Sequence, residues 1–202
     1  MSIQELTTWG NETVMMKRFG SLYSKLTTSS SELLGSFKGE IVVKKLGVSE
    51  DEGTRSMIRN VLLEFGGIGI DSYYFDDELD YLVETYNRKG HRMMVAIKDG
   101  EVIGSAGIKP MRCDAGQLIE EVCELQKVYV KTQYRDKGIG RRLIRRVFQE
   151  ARSMGYTNCH VTTNPIFKQF ESLLVQLGFE KSDLKVKKCG ESAFDRHLIK
   201  EL

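Results

Sequence analysis

No uninterrupted apolar run in the chain approaches the ~18–20 residues that a membrane-crossing helix requires, so no membrane partner is expected. There is no C-x-x-C. The four cysteines, Cys113, Cys123, Cys159 and Cys189, stand apart, as do the three histidines, His91, His160 and His197, so no zinc signature is present and no metal is expected. The opening MSIQELTTWGNETVMMKRFG lacks a continuous apolar stretch and carries Glu5 and Glu12, unlike a secretory signal peptide. With one arginine, Arg18, in its first 30 residues, it is also unlike a transit peptide. Reduced thiols and a cytoplasmic location follow as expectations. Internal repeats are absent.

What is present is enough apolar material, 41% of 202 residues, for one full core. Thirty bases against 28 acids leave a net charge of +2. That balance conceals an asymmetry. Residues 127–152 hold nine Lys or Arg and two acids, so this segment carries +7 and the rest of the chain −5. Residues 71–86 hold six acids, four tyrosines and no base.

Residues 1–39 read as a helical extension: Met15, Phe19, Leu22, Tyr23 and Leu26 recur at helical spacing, and Thr27–Ser31 forms a linker. From residue 40 to 202 the pattern is that of an α+β domain with a mixed sheet. A strand begins at Ile41, and a helix runs from Ser49, as its cap, to Phe65. A second helical segment spans residues 77–88. Strands at 93–97 and 102–108 are joined through Asp99-Gly100, a hairpin signal. A strand at 123–130, a helix at 138–154, a strand at 158–163, a helix at 165–176 and a closing hairpin complete the order.

The chemistry concentrates in residues 123–156. A strand leads into Arg135-x-x-Gly138-x-Gly140, and a long helix starts at the glycines. Unpaired amides and the positive dipole end of such a helix suit an anion, above all a phosphate. A P-loop would need Lys-Ser/Thr after its last glycine, where Arg141-Arg142 stands; a dinucleotide fingerprint would need glycine at Leu143. The apolar positions Leu125, Val128 and Val130 are spaced three and then two, which predicts one extra residue, a β-bulge, beside the site.

These residues resemble the GCN5-related N-acetyltransferase (GNAT) superfamily. The likeness covers residues 40–202 and is strongest over Glu124–Val130 and Tyr134–Leu143, with Gly155-Tyr156, Thr162-Thr163 and Leu177-Gly178-Phe179 in order behind them. It implies a mixed, mostly antiparallel twisted sheet flanked by helices, with acetyl-CoA as cosubstrate. It further implies that the amides of Arg135, Asp136, Lys137, Gly138, Ile139 and Gly140 hold the pyrophosphate, with Arg141 also on the cofactor. Main-chain groups of Val128, Tyr129 and Val130 would hold the pantetheine arm, with Asn164 and Lys168 adding contacts. Glu124 stands where the family often places its general base. Where the family commonly has a tyrosine to protonate the leaving thiolate, this chain has Leu174; Tyr129, Tyr134, Tyr156, Cys159 and Ser172 are the alternatives.

The implied reaction is acetyl transfer to a primary amine of a small molecule or peptide by direct attack in a ternary complex. The acidic, tyrosine-rich stretch 71–86 favours a cationic acceptor. A non-catalytic acetyl-CoA-binding module acting on a protein partner is the rival reading. The chain as a whole is not basic, which argues against nucleic acid, and the extra helix leaves room for a homodimer.

Overall fold

Asp99 and Gly100 both take positive φ, 50° and 82°, the backbone that a two-residue hairpin turn requires, and they join strands β2 (Arg92–Lys98) and β3 (Glu101–Arg112). The computed structural model describes residues 39–64, 76–113, 115–182 and 195–202, of which Ile41–Leu202 belongs to one compact unit. The predicted N-terminal helix and linker, Asp71–Phe75 of the acidic stretch, and most of the segment ahead of the last strand lie outside the described residues.

Around that hairpin the remaining elements follow in order: β1 (Ile41–Lys45), α1 (Val48–Leu63), a 3₁₀ turn (Asp77–Tyr81) and α2 (Leu82–Tyr86) precede it. β4 (Leu118–Val130), α3 (Ile139–Ser153), β5 (Asn158–Thr163), α4 (Lys168–Gln176), β6 (Glu180–Lys181) and β7 (Arg196–Glu201) follow it. The sheet order is β1-β2-β3-β4-β5-β7-β6, and β4 with β5 is its parallel pair among antiparallel neighbours.

The run Met93-Met94-Val95-Ala96 is apolar throughout because β2 is covered on both faces. Met93 and Val95 pack with Met57, Ile58, Leu79 and Tyr86 from the α1/α2 side. Met94 and Ala96 pack with Leu143, Ile144, Val147 and Phe148 of α3. Successive strand residues point to opposite faces, so each layer takes alternate residues.

Three predicted boundaries shift. Leu46 N–H still bonds the Met93 carbonyl at 2.9 Å, so α1 follows at once with Gly47 as its cap; Ser49 lies inside the first turn and donates to Glu50 Oε1 instead. The segment at 77–88 divides into the 3₁₀ turn, capped by the Asp76 carboxylate, and the short α2. The last helix starts at Lys168 because Asn164 first closes a turn, accepting from Phe167 N–H on its carbonyl and from Ile166 N–H on its side chain.

Candidate active site

The β3–β4 register contains the predicted bulge. Ser105 pairs with Tyr129 and Gly107 with Gln126, so two steps on β3 match three on β4. Lys127 carries the distortion at φ 52°, and the buried Ser105 hydroxyl donates to its carbonyl at 2.8 Å. A non-glycine residue held at positive φ needs such support.

Just ahead of the bulge, β4 also parts from β5. Their register has three pairs, Val122–Asn158, Cys123–Cys159 and Glu124–His160, and the strands then diverge. A cleft of about 1790 Å³ opens there, and Glu124, Val128, Tyr129, Val130, Arg135, Asp136, Gly138, Ile139, Gly140, Arg141, Asn164 and Lys168 all reach its wall. Lys137 does not: its ammonium turns to the Gln133 carbonyl at 2.8 Å.

At the start of α3, the first intrahelical bond runs from Arg142 N–H to the Gly138 carbonyl at 3.0 Å. The amides of Ile139, Gly140 and Arg141 therefore precede the ladder and have no acceptor within the helix. Gly138 sits at φ 76° in the left-handed region, and a Cβ on Gly140 would lie 3.3 Å from Leu173 Cδ2. One glycine supplies the bend and the other the close approach. The Arg135 amide is already used, donating to the Thr132 carbonyl at 3.1 Å, and its guanidinium bonds Val130 O at 3.0 Å and Glu64 at 2.7 Å.

Of the nine bases in the +7 segment, Lys127, Lys131 and Arg135 are paired to acids elsewhere: Asp76 and Glu78, Glu101, and Glu64. Arg145 and Arg146 stand exposed on α3, as a solvated helix face predicts.

At the other end of the cleft Glu124 is 3% exposed and accepts from Gln126 Nε2 at 2.7 Å. The Gln126 carbonyl oxygen lies 3.4 Å from the Tyr86 hydroxyl, which donates to Glu78 Oε1 at 2.9 Å, and Glu78 Oε2 accepts from Lys109 at 2.8 Å. Burial pushes the Glu78 carboxyl up, but Lys127 and Lys109 outweigh it and hold the pKa below the usual value. Burial, then the Glu78 charge, pushes the Tyr86 hydroxyl well above its ordinary range. The sequence singles out neither Gln126 nor Lys109 for the site, and Glu78 and Tyr86 only as members of the acidic, tyrosine-rich stretch 71–86. Gly107 was the one available signal: a Cβ there would sit 2.6 Å from Tyr86 Cε1, and a glycine inside a strand marks close approach.

Leu174 is fully buried in the α3/α4 core, so no proton donor stands at that position. Two of the alternatives also fall away. Tyr156 is off the cleft wall, donates to the Gly90 carbonyl at 2.9 Å, and burial pushes its pKa to about 12. Cys159 is fully buried, which drives its thiol well up. Tyr129, Tyr134 and Ser172 line the cleft.

The model of the acetyltransferase (GNAT) family matches residues 57–179, which contain the bulge, the glycine turn and both ends of the cleft. The chain belongs to this family. It is 30% identical over 162 residues to the uncharacterized N-acetyltransferase YjgM of Escherichia coli K12, spanning 80% of this chain and 95% of that one. Among solved structures, a GNAT-family acetyltransferase from Staphylococcus aureus Mu50 superposes with TM-score 0.67 at 19% identity, over 80% of this chain and 98% of that one. The PaiA N-acetyltransferase of Thermoplasma acidophilum, solved in complex with coenzyme A, gives 0.64 at 18% identity, over 81% and 99%. The GNAT sheet and flanking helices expected from the sequence are thus present, and acetyl-CoA is the cosubstrate of the family.

Proposed function

We propose that this GNAT protein transfers acetyl from acetyl-CoA to a primary amine of a small molecule or peptide, by direct attack in a ternary complex, with Glu124 as general base. The observation that carries the reading is the position of Glu124: a buried carboxylate on the cleft wall, four residues before Val128 on the bulged strand. Acetyl-CoA supplies an activated thioester. The residues fit it: the free amides of Ile139, Gly140 and Arg141 suit a pyrophosphate, and the β4 edge that has left β5 presents main-chain groups to an extended arm. Lys168, exposed at the start of α4, offers a further cation.

At the other end, an ammonium must lose its proton before its nitrogen can attack. Glu124 accepts that proton directly or through a water, and Gln126 holds the carboxylate in place through Oε2. A non-catalytic module that binds acetyl-CoA and acts on a protein partner draws on Leu174, which leaves the thiolate without the family's usual donor. Thiolate leaves readily enough that the missing acid does not forbid turnover.

The test is a screen of amines and peptides with acetyl-CoA, read by free thiol. Acceptor-dependent thiol release supports catalysis. A rise in melting temperature with acetyl-CoA and no release on any acceptor establishes the binding module instead.

A further inference from the structure

Resting on the acetyltransferase reading, we propose that the acceptor is an amino carboxylate: a small zwitterion, such as a free amino acid, whose carboxylate is held by a cationic rim while its amine meets Glu124. Three segments build that end of the cleft. Lys109 pairs directly with Glu124 across the β3–β4 ladder. Arg112 follows on β3, and the turn Arg88-Lys89-Gly90-His91 docks beside it. The docking is specific: Gly90, at φ 79°, comes so near β3 that a Cβ would stand 3.1 Å from Pro110 Cγ, and the Tyr156 hydroxyl fastens its carbonyl at 2.9 Å. The turn therefore presents its cations from an anchored backbone.

Charge decides what this end receives. Arg88 and Lys89 are exposed on the cleft wall with no ion-pair partner among the described residues. Arg112 donates to a neutral acceptor, the Gly116 carbonyl, at 2.6 Å. The acids that would offset them are engaged: Asp76 by Lys127, and Glu78 by Lys109 and Lys127. The acidic stretch that favoured a cationic acceptor is thus neutralised at both of these positions. What remains is a surplus of positive charge around one carboxylate, Glu124. An ammonium fits Glu124, a carboxylate fits the guanidinium forks of Arg88 and Arg112, and the second cation of a polyamine would be placed against like charges.

The test compares matched acceptors by thiol release: each of a set of L-amino acids, its carboxamide, its decarboxylated amine, and spermidine. The expected result is a kcat/KM about tenfold or more higher for the acid than for its amide, the size of one charge-assisted hydrogen bond. The amide's amine is the less basic of the two and more readily deprotonated, so that bias runs against the expectation. The double variant Arg88→Gln/Lys89→Gln, and separately Arg112→Gln, should raise KM for the amino acid about fivefold to tenfold while leaving the amide's kinetics and the KM for acetyl-CoA unchanged. A loss of structure would move both acceptors alike. Equal or better use of amides, amines or spermidine overturns the proposal, as does an equal effect of the variants on acid and amide. No release with any acceptor while acetyl-CoA still raises the melting temperature also overturns it, and leaves donor binding intact. No release and no such rise overturns the acetyltransferase assignment itself.

Discussion

The Gln126 side-chain amide donates to Glu124 Oε2 at 2.7 Å from two residues along the same face of β4. One oxygen of the carboxylate is thereby held in a fixed direction. Glu124→Gln removes the base and should lower kcat at neutral pH by about 10²-fold or more. Gln126→Leu keeps the base but frees its orientation, so a smaller fall of about tenfold is expected. An unchanged kcat in Glu124→Gln would remove it from the role.

Gly107 and Tyr86 share one space. Since a Cβ would stand 2.6 Å from the Tyr86 ring, Gly107→Ala must displace a side chain that is 1% exposed and bonded to Glu78. We expect about 1–3 kcal/mol of lost stability in chemical denaturation. Tyr86→Phe keeps the ring and deletes the hydroxyl. It should cost less stability than Gly107→Ala yet lower kcat, because Gln126 loses its neighbour.

Gly138 poses the opposite case. No atom lies within 4 Å of a Cβ built there, so Gly138→Ala meets no clash and suffers only the penalty of its 76° φ. That penalty is about 1–2 kcal/mol and falls on the turn that presents the α3 amides. The KM for acetyl-CoA should rise about fivefold to tenfold with the acceptor KM unchanged. An unaffected donor KM would contradict the phosphate assignment of this turn.

His160 gives a pH test. It is fully buried with neither ring nitrogen hydrogen-bonded, and it stacks on His197 at 5.5 Å. Burial, then the His197 charge, pushes its pKa down to about 4. In the unfolded chain a histidine titrates near 6.5, so between about 6.5 and 4 the unfolded state binds more protons and stability falls as pH falls. At most about 3 kcal/mol is at stake. Melting temperatures from pH 7 to 4 should show this decline in the native protein and a shallower one in His160→Phe. Equal slopes in the two would assign the acid sensitivity to other groups.

Local signals in the chain carried most of the fold. Asp99-Gly100, the uneven spacing of Leu125, Val128 and Val130, and the paired glycines each express a constraint within a few residues, and each stands in the structure where it was expected. The position of Ser49 was misread because a better-placed residue, Gly47, meets the end of the β1 pairing first. The site's electrostatics lay further out of reach. Glu78 finds Lys109 across 31 residues, and Asp76 finds Lys127 across 51, so two acids of an acidic stretch in the sequence become ion pairs in space. Tyr86 and Gln126, 40 residues apart, have no mark in the sequence except the glycine that makes room for the ring.

The early parting of β4 from β5 places a raw strand edge in the interior of a seven-stranded sheet rather than at its margin. Exposed edges invite pairing with other chains, and proteins usually guard them. On the reading proposed above, the pantetheine arm would be that guard. The chain without acetyl-CoA should then aggregate sooner than the chain with it, a difference that light scattering during heating reads out.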